Sequence, residues 1–304
     1  MKYIAGTDFK LSNTAVCLGK FDGLHIGHQA LINYVISQKD KGYQSAVFSF
    51  AMHPFNLFSD REISLIYTEE EKRFQLEKMK LDAMISFPFT KETSNMRAVD
   101  FIKEILMEKM DAKIIAVGSD FRFGHNREGD VNLLESLSKT YGYELKVFDK
   151  IELNHSIVSS SKIREEIEKG NMELVTQMLG QPYSISGIVL HGRKIGRTIG
   201  MPTTNLIPNT DKLLPPNGVY ASKTIIDEVE YPGITNIGVK PTVGAEERVG
   251  VETYIFDFDG DLYGSSIQVD LYAYERSERR FQSLDELKEQ MNKDIAFARA
   301  YFNC

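Results

Sequence analysis

The run Gly19-Lys20-Phe21-Asp22-Gly23-Leu24-His25-Ile26-Gly27-His28 follows the apolar stretch 15–18 and precedes Leu31, Ile32, Val35 and Ile36, which recur at helical spacing. A glycine-bearing turn from strand to helix lets backbone come close to a phosphate, and the first helical N–H groups there have no partner within the helix. His25 and His28, three residues apart in the opening turn, fall on one face beside those amides. The segment reads as an anion site built where a strand hands over to a helix.

Outward from this turn the same grammar continues to about residue 180. Short apolar or β-branched runs at 46–50, 84–87, 114–117 and 145–148 read as strands. Between them, Val99, Ile102, Leu106 and Met110 form a helical stripe, and Thr68 with Glu71 three residues later reads as a capping box. Strands alternating with helices predict an α/β domain, a doubly wound parallel sheet with helices on both faces and ligands at the carboxyl ends of its strands. After Gly180-Gln181-Pro182 the pattern changes to strands at 183–190, 219–226, 233–239, 251–258 and 267–274, punctuated by glycine and proline turns. That half predicts an antiparallel sheet or β-barrel. It closes with a helix in which Ser283 and Glu286 form a capping box and Leu287, Met291, Ile295, Ala298 and Phe302 make the stripe. The expected domains are 1–182 and 183–304.

The chain has 304 residues, 42% hydrophobic and 26% charged, which excludes global disorder and coiled coil. Its net charge of −7 gives no general attraction to nucleic acid or to an anionic membrane, so any phosphate site has to be local. Cys17 and Cys304 match neither a disulfide framework nor a metal-ligand spacing and suggest a reducing compartment. With no apolar signal-peptide core and no apolar run of spanning length, the expected location is cytoplasmic.

Further segments stand where the sheet would present loops: 49–54 with His53 and Pro54, 118–124 with Gly118, Asp120 and Arg122, and 158–164 with Ser159, Ser160, Ser161 and Arg164. The serine run with its cations suits a triphosphate, although alone it also reads as an N-cap with a solvated arginine. In the second half, Gly192, Gly196 and Gly200 interleave with Arg193, Lys194 and Arg197 ahead of Pro202-Thr203-Thr204-Asn205. Such a stretch makes either a basic phosphate-holding flap or a hairpin with solvated charges. Thr203 and Asn205 offer neutral oxygens suited to Mg²⁺, and Glu252, inside a strand, is either solvent-facing or functional.

H-x-G-H after a first strand resembles the nucleotidyltransferase superfamily, and the segments together resemble the bacterial bifunctional riboflavin kinase/FMN adenylyltransferase family across essentially the whole chain. The resemblance implies an HxGH-type nucleotidyltransferase domain followed by a riboflavin-kinase barrel with a closing helix. In the first, His25 and His28 would be catalytic, and Gly19, Phe21, Asp22, Gly23, His25, Gly27, His28, Gly118, Asp120, Ser159, Ser160, Ser161 and Arg164 would hold ATP. His53, Pro54 and Arg122 would meet the flavin. In the second, Gly192, Gly196, Arg197, Gly200, Thr203 and Asn205 would bind ATP, Thr203 and Asn205 would carry Mg²⁺, and Glu252 would be the base. Ser161 stands where the family has threonine, and Thr204 where it has alanine. The implied reactions convert riboflavin and ATP to FMN, then FMN and ATP to FAD and pyrophosphate, with small molecules as partners, no nucleic acid or membrane, and a monomer or weak homo-oligomer. One alternative is a monofunctional riboflavin kinase with an inactive first module. A class I aminoacyl-tRNA synthetase is disfavoured by the missing Lys-Met-Ser-Lys-Ser string, and a flavin carrier by the metal-triphosphate motif.

Overall fold

Five consecutive buried residues, Thr14–Leu18, form β2 at the middle of a parallel sheet, where both faces are covered and an unbroken apolar run is what the site requires. The structure is a computed structural model that describes residues 1–51, 64–191, 200–241 and 247–304. It divides into two compact units, Met1–Ser160 and Ser161–Cys304.

In the first unit, β1 (Lys2–Ala5), β2, β3 (Gln44–Phe50), β4 (Ala83–Phe87), β5 (Ala112–Gly118) and β6 (Glu144–Phe148) lie in the order β1-β4-β3-β2-β5-β6, every neighbouring pair parallel. The chain winds from β2 outward through β3 to β4, then crosses back to β5 on the other side of β2. The β2/β5 junction is therefore the topological switch point, where an open sheet leaves a crevice at its carboxyl edge. A small hairpin, β7 (Glu152–Leu153) with β8 (Ser156–Ile157), follows.

Helix α1 (Ile26–Ser37) buries Leu31, Ile32 and Val35 as the stripe predicts. Helix α2 (Glu69–Lys78) starts at the expected box: Thr68 accepts from the Glu71 amide and Glu71 accepts from the Thr68 amide. The next stripe differs from expectation. Phe101–Lys109 is a π-helix, whose wider turn closes Met110 N–H onto the Ile105 carbonyl and brings Phe101, Ile102, Ile105 and Leu106 inward. Val99, in the α-helical turn 98–100 just before it, is 43% exposed. A further helix, α3 (Val131–Tyr141), is capped by Asp130.

The second unit opens with α4 (Ser160–Glu168, its first residue belonging to the first unit) and α5 (Met172–Leu179). Strands β9 (Tyr183–Leu190), β10 (Thr203–Leu206), β11 (Gly218–Ile226), β12 (Val229–Pro241), β13 (Glu247–Ile255) and β14 (Ser266–Ser277) close a barrel in the order β10-β13-β12-β11-β14-β9. Inside it, Thr235 donates to or accepts from Thr253 at 2.8 Å and bonds Ser222 at 2.7 Å, so the buried hydroxyls satisfy one another.

Outside the barrel, Ile234, Phe256 and Ala273 pack with Ala298, Ile295 and Phe302 of the closing helix α6 (Leu284–Phe302). Two details of α6 differ from the apolar stripe and the capping box. Its deepest positions are Gln290, Asp294 and Ala298, because Asp294 accepts two bonds from Arg276, at 2.9 and 2.6 Å, and one from Gln290 at 2.6 Å. Ser283 caps the Glu286 amide, but Glu286 reaches the Gln282 amide instead of closing the box. Among the described residues no helix is long and apolar enough to cross a membrane.

Candidate active sites

The loop after β2 is held from its backbone. Asp22, 5% exposed, accepts from the Ile66 amide at 3.0 Å; Ser160 donates to the Asp22 carbonyl at 2.8 Å, and Ser49 to the Lys20 carbonyl at 3.0 Å. Phe21 and Leu24 adopt left-handed φ values of 52° and 44°, and the buried Phe21 ring meets His28 edge-on at 5.2 Å. These ties bring the chain to His25, the N-cap of α1, whose Nδ1 accepts from the His28 amide at 3.3 Å. An accepting Nδ1 leaves the proton on Nε2, so His25 presents an N–H donor while neutral.

The two imidazoles stack at 3.7 Å. Burial pushes His25 down to about 4 despite the opposing charge of Asp22, and burial, then His25 and Lys72, hold His28 well below the usual imidazole range. Neutral rings stack without charge repulsion. His28 Nδ1 is buried without a hydrogen-bond partner among the described residues. The amides of Ile26 and Gly27 precede the first helical bond, from Gln29 N–H to the His25 carbonyl. Donors and an unsatisfied polar atom thus converge at the amino end of α1, above the switch point.

The other predicted residues of this unit take distinct places. Gly118 ends β5, and Asp120 pairs with Lys150 at 2.9 Å. Arg122 stands 3.7 Å from Asp130. Gly19 and Gly23 leave room for the Phe21 ring and for Ile66, at 3.1 and 3.0 Å from where a Cβ would lie. Ser159 and Ser160 lie in the first unit, while Ser161 and Arg164 begin the second. His53 and Pro54 lie outside the described residues, as do Gly192, Gly196 and Arg197. Sequence reasoning missed Ile66, which ties Asp22, and Lys72, a 7% exposed lysine paired with Glu69 at 3.1 Å. The Thr68 box located the helix that carries Lys72 and that Ile66 precedes, but nothing local showed which loop it would meet.

In the barrel, register assembles the second constellation. Thr203 pairs with Tyr254 and Asn205 with Glu252 across β10 and β13, and Glu252 pairs with Asn236 across β13 and β12. Directly opposed residues share a face, so Thr203, Asn205, Glu252 and Asn236 stand together on the outer surface, while Val251 and Thr253 point inward and are buried. Thr204 lies on the inner side and donates to the Thr253 carbonyl at 3.3 Å. Gly200, just ahead, has φ of 78°. Asn236 also donates to Glu278 at 3.1 Å, a contact no sequence motif announced.

Two family matches fall on these halves: residues 8–162 match the FAD synthetase family and residues 179–302 the riboflavin kinase family. A protein of Buchnera aphidicola subsp. Acyrthosiphon pisum named bifunctional riboflavin kinase/FMN adenylyltransferase is 37% identical over 96% of this chain and 94% of its own length. The chain belongs to the bifunctional riboflavin kinase/FMN adenylyltransferase family. Family members from Escherichia coli strain K12 and Bacillus subtilis strain 168 are 36% and 35% identical over 94% and 96% of the chain, and 91% and 93% of their own lengths. A crystal structure titled macrolide-efflux protein from Streptococcus pneumoniae superposes with a TM-score of 0.87 at 27% identity, covering 98% of this chain and 99% of that one. The first family match contains the His25/His28 turn, and the second contains the Thr203, Asn205, Glu252 row.

Proposed function

We propose that the chain makes both flavin cofactors: residues 183–304 phosphorylate riboflavin to FMN with ATP, and residues 1–182 transfer the adenylyl group of a second ATP to FMN, releasing pyrophosphate. The observation that supports this reading is that the two family matches fall on different units, one carrying the His25/His28 turn and the other the Thr203, Asn205 and Glu252 row. A kinase without adenylyl transfer is not favoured, because the His25/His28 turn is built and tied.

In the kinase, Glu252 takes the proton from the primary alcohol of riboflavin as the oxygen attacks the γ-phosphorus, the bond from that phosphorus to the bridging oxygen breaks and ADP leaves. Thr203 and Asn205, one register step away, offer a hydroxyl and an amide, neutral hard oxygens that fit Mg²⁺ arriving with ATP. Mg²⁺, when bound, neutralises phosphate charge. Gly200 and, outside the described residues, Gly192, Gly196 and Arg197 complete the ATP contacts in this reading.

In the adenylyltransferase, the nucleophile is the FMN phosphate, already ionised at neutral pH, so no protein base is needed. Neutral His25 and His28 donate hydrogen bonds to phosphate oxygens as charge grows on the α-phosphoryl and the leaving pyrophosphate. Gly19, Gly23, Gly27, Gly118, Asp120, Ser159 and Ser160 shape the nucleotide site in this reading, with Phe21 and Asp22 holding its loop, and His53, Pro54 and Arg122 are the proposed flavin contacts. The enzyme works in the cytoplasm as a monomer or weak homo-oligomer. The test is a chromatographic time course with riboflavin, ATP and Mg²⁺ beside one started from FMN. FAD in both runs supports the reading; FMN without FAD removes the adenylyltransferase half, and no product removes both.

A further inference from the structure

The outer row of the barrel does not end at Glu252. Its partner on β12, Asn236, donates from Nδ2 to Glu278 Oε1 at 3.1 Å, and Glu278 follows directly on the last residue of β14. Two residues along the same face from Asn236 is Gly238, where a Cβ would overlap the Glu278 carboxylate. Gly238 is buried although it sits on the outer face, because that carboxylate covers it. An amide donor and a missing side chain therefore seat one carboxylate at one place.

The order across the sheet gives that place a meaning. Thr203 and Asn205 are on β10, Glu252 on β13, and Asn236 on β12 with Glu278 above it. Resting on the kinase reading above, ATP lies toward β10 and the attacking hydroxyl at Glu252. An in-line transfer sends the rest of the alcohol away from the phosphates, toward β12. Adjacent strands are about 4.8 Å apart, so Glu278 stands roughly one strand spacing beyond Glu252, within the span of a five-carbon polyol. Glu278 Oε1 is taken by Asn236, and a carboxylate has further acceptor capacity on its second oxygen.

We propose that Glu278, held by Asn236 over Gly238, accepts hydrogen bonds from the ribityl hydroxyls next to the one being phosphorylated, and so selects a flavin carrying a polyol chain. Glu278 is a specificity residue, distinct from the base Glu252. Asn236 and Gly238 position it.

The test is steady-state kinetics on the full chain, counting FMN plus FAD formed from riboflavin, with lumiflavin, which lacks the ribityl chain, as competing inhibitor. For Glu278→Gln the expected result is a KM for riboflavin raised about tenfold, as for loss of a hydrogen bond to a charged group, with the KM for ATP, the Mg²⁺ dependence and the lumiflavin inhibition constant unchanged. Gly238→Ala, which displaces the carboxylate, should reproduce the same selective loss. An unchanged riboflavin KM in Glu278→Gln overturns the proposal while leaving the kinase reading intact. Equal weakening of riboflavin and lumiflavin, or a changed Mg²⁺ dependence, overturns it in favour of a structural or metal-side role. Wild-type protein that forms no FMN overturns both.

Discussion

The His25 ring occupies space that position 27 leaves open: a Cβ there would lie 3.1 Å from His25 Cε1 and 3.2 Å from Nδ1. Gly27→Ala should therefore tilt the imidazole off the bond it accepts from His28, lowering kcat for FAD formation from FMN by about tenfold to a hundredfold while riboflavin phosphorylation is unchanged. Equal loss in both reactions would show a folding defect instead. The same residue makes a prediction about protons. With His25 pushed down to about 4 and His28 well below its usual range, both rings are neutral above pH 7, where the FMN phosphate is also fully ionised, and the adenylyl-transfer rate should be flat from pH 7 to 9. Carbon-labelled histidine spectra should place the His25 midpoint near 4; a midpoint near 6.5 would mean that burial does not hold the ring neutral in acid. Because the folded value lies under the unfolded one, the unfolded chain binds the extra proton between about 6.5 and about 4, and stability falls as pH drops through that window. These residues were readable because the strand, the glycines and the histidines sit within one short stretch. Lys72 reaches the site only through the packing of α2, and Ile66 through the backbone just ahead of it.

At the level of elements, the clamp between β14 and α6 shows both what pattern reading finds and what it misses. The closing helix was plain from its period, yet its deepest line carries Gln290 and Asp294, because Arg276 waits beneath them and a buried ion pair answers a polar residue as well as a core answers an apolar one. The π-helix and the edge strand β1 escaped for related reasons. A period of 3.6 residues misplaces Val99, and β1 has a single fully buried residue to announce it. β10 hid inside the Pro202-Thr203-Thr204-Asn205 motif, which reads as loop until β9 and β13 flank it. Next to the clamp, at the bulge where β14 shifts register against β11, Glu275 is pushed up to about 7 by burial and then by Asp294, and its Oε2 is buried without a partner among the described residues. The folded chain thus keeps a proton that the unfolded chain loses near 4.5, so stability is greatest below that value and declines as pH rises through about 7. Glu275→Gln should remove this decline. Calorimetry should find the variant about 1–2 kcal/mol more stable than the wild type at pH 8, after allowing for partial exposure, and similar to it at pH 5. Equal melting behaviour at pH 8 would show that Glu275 ionises freely in the fold.

Across the whole molecule, the residues proposed for the two reactions share neither a sheet nor a ligand set. His28 stands at the carboxyl edge of the parallel sheet, and Glu252 on the outer face of the barrel. Sequence alone conveyed this division, since a change from helix-and-strand alternation to consecutive strands marks a change of architecture. It could not convey the row Asn205, Glu252, Asn236, Glu278, which exists only once three strands take their register. The division has a kinetic consequence that one pair of variants can expose. Glu252→Gln removes the proposed proton acceptor for the alcohol and should lower FMN formation by about a hundredfold to ten-thousandfold, with FMN still converted to FAD at the wild-type rate. His28→Ala removes a proposed donor to the developing phosphate charge and should stop a riboflavin run at FMN, slowing FAD formation by about a hundredfold or more. Neither variant should make FAD from riboflavin alone, and an equimolar mixture of the two should, because the FMN released by one molecule is the substrate the other retains the means to adenylate. FAD appearing with a lag that shortens as total protein rises would establish that two independent sites are joined by a diffusing intermediate. If each variant kept its own half-reaction and the mixture still made no FAD, the two steps would have to share residues or a retained intermediate, and the separation drawn from the fold would fail.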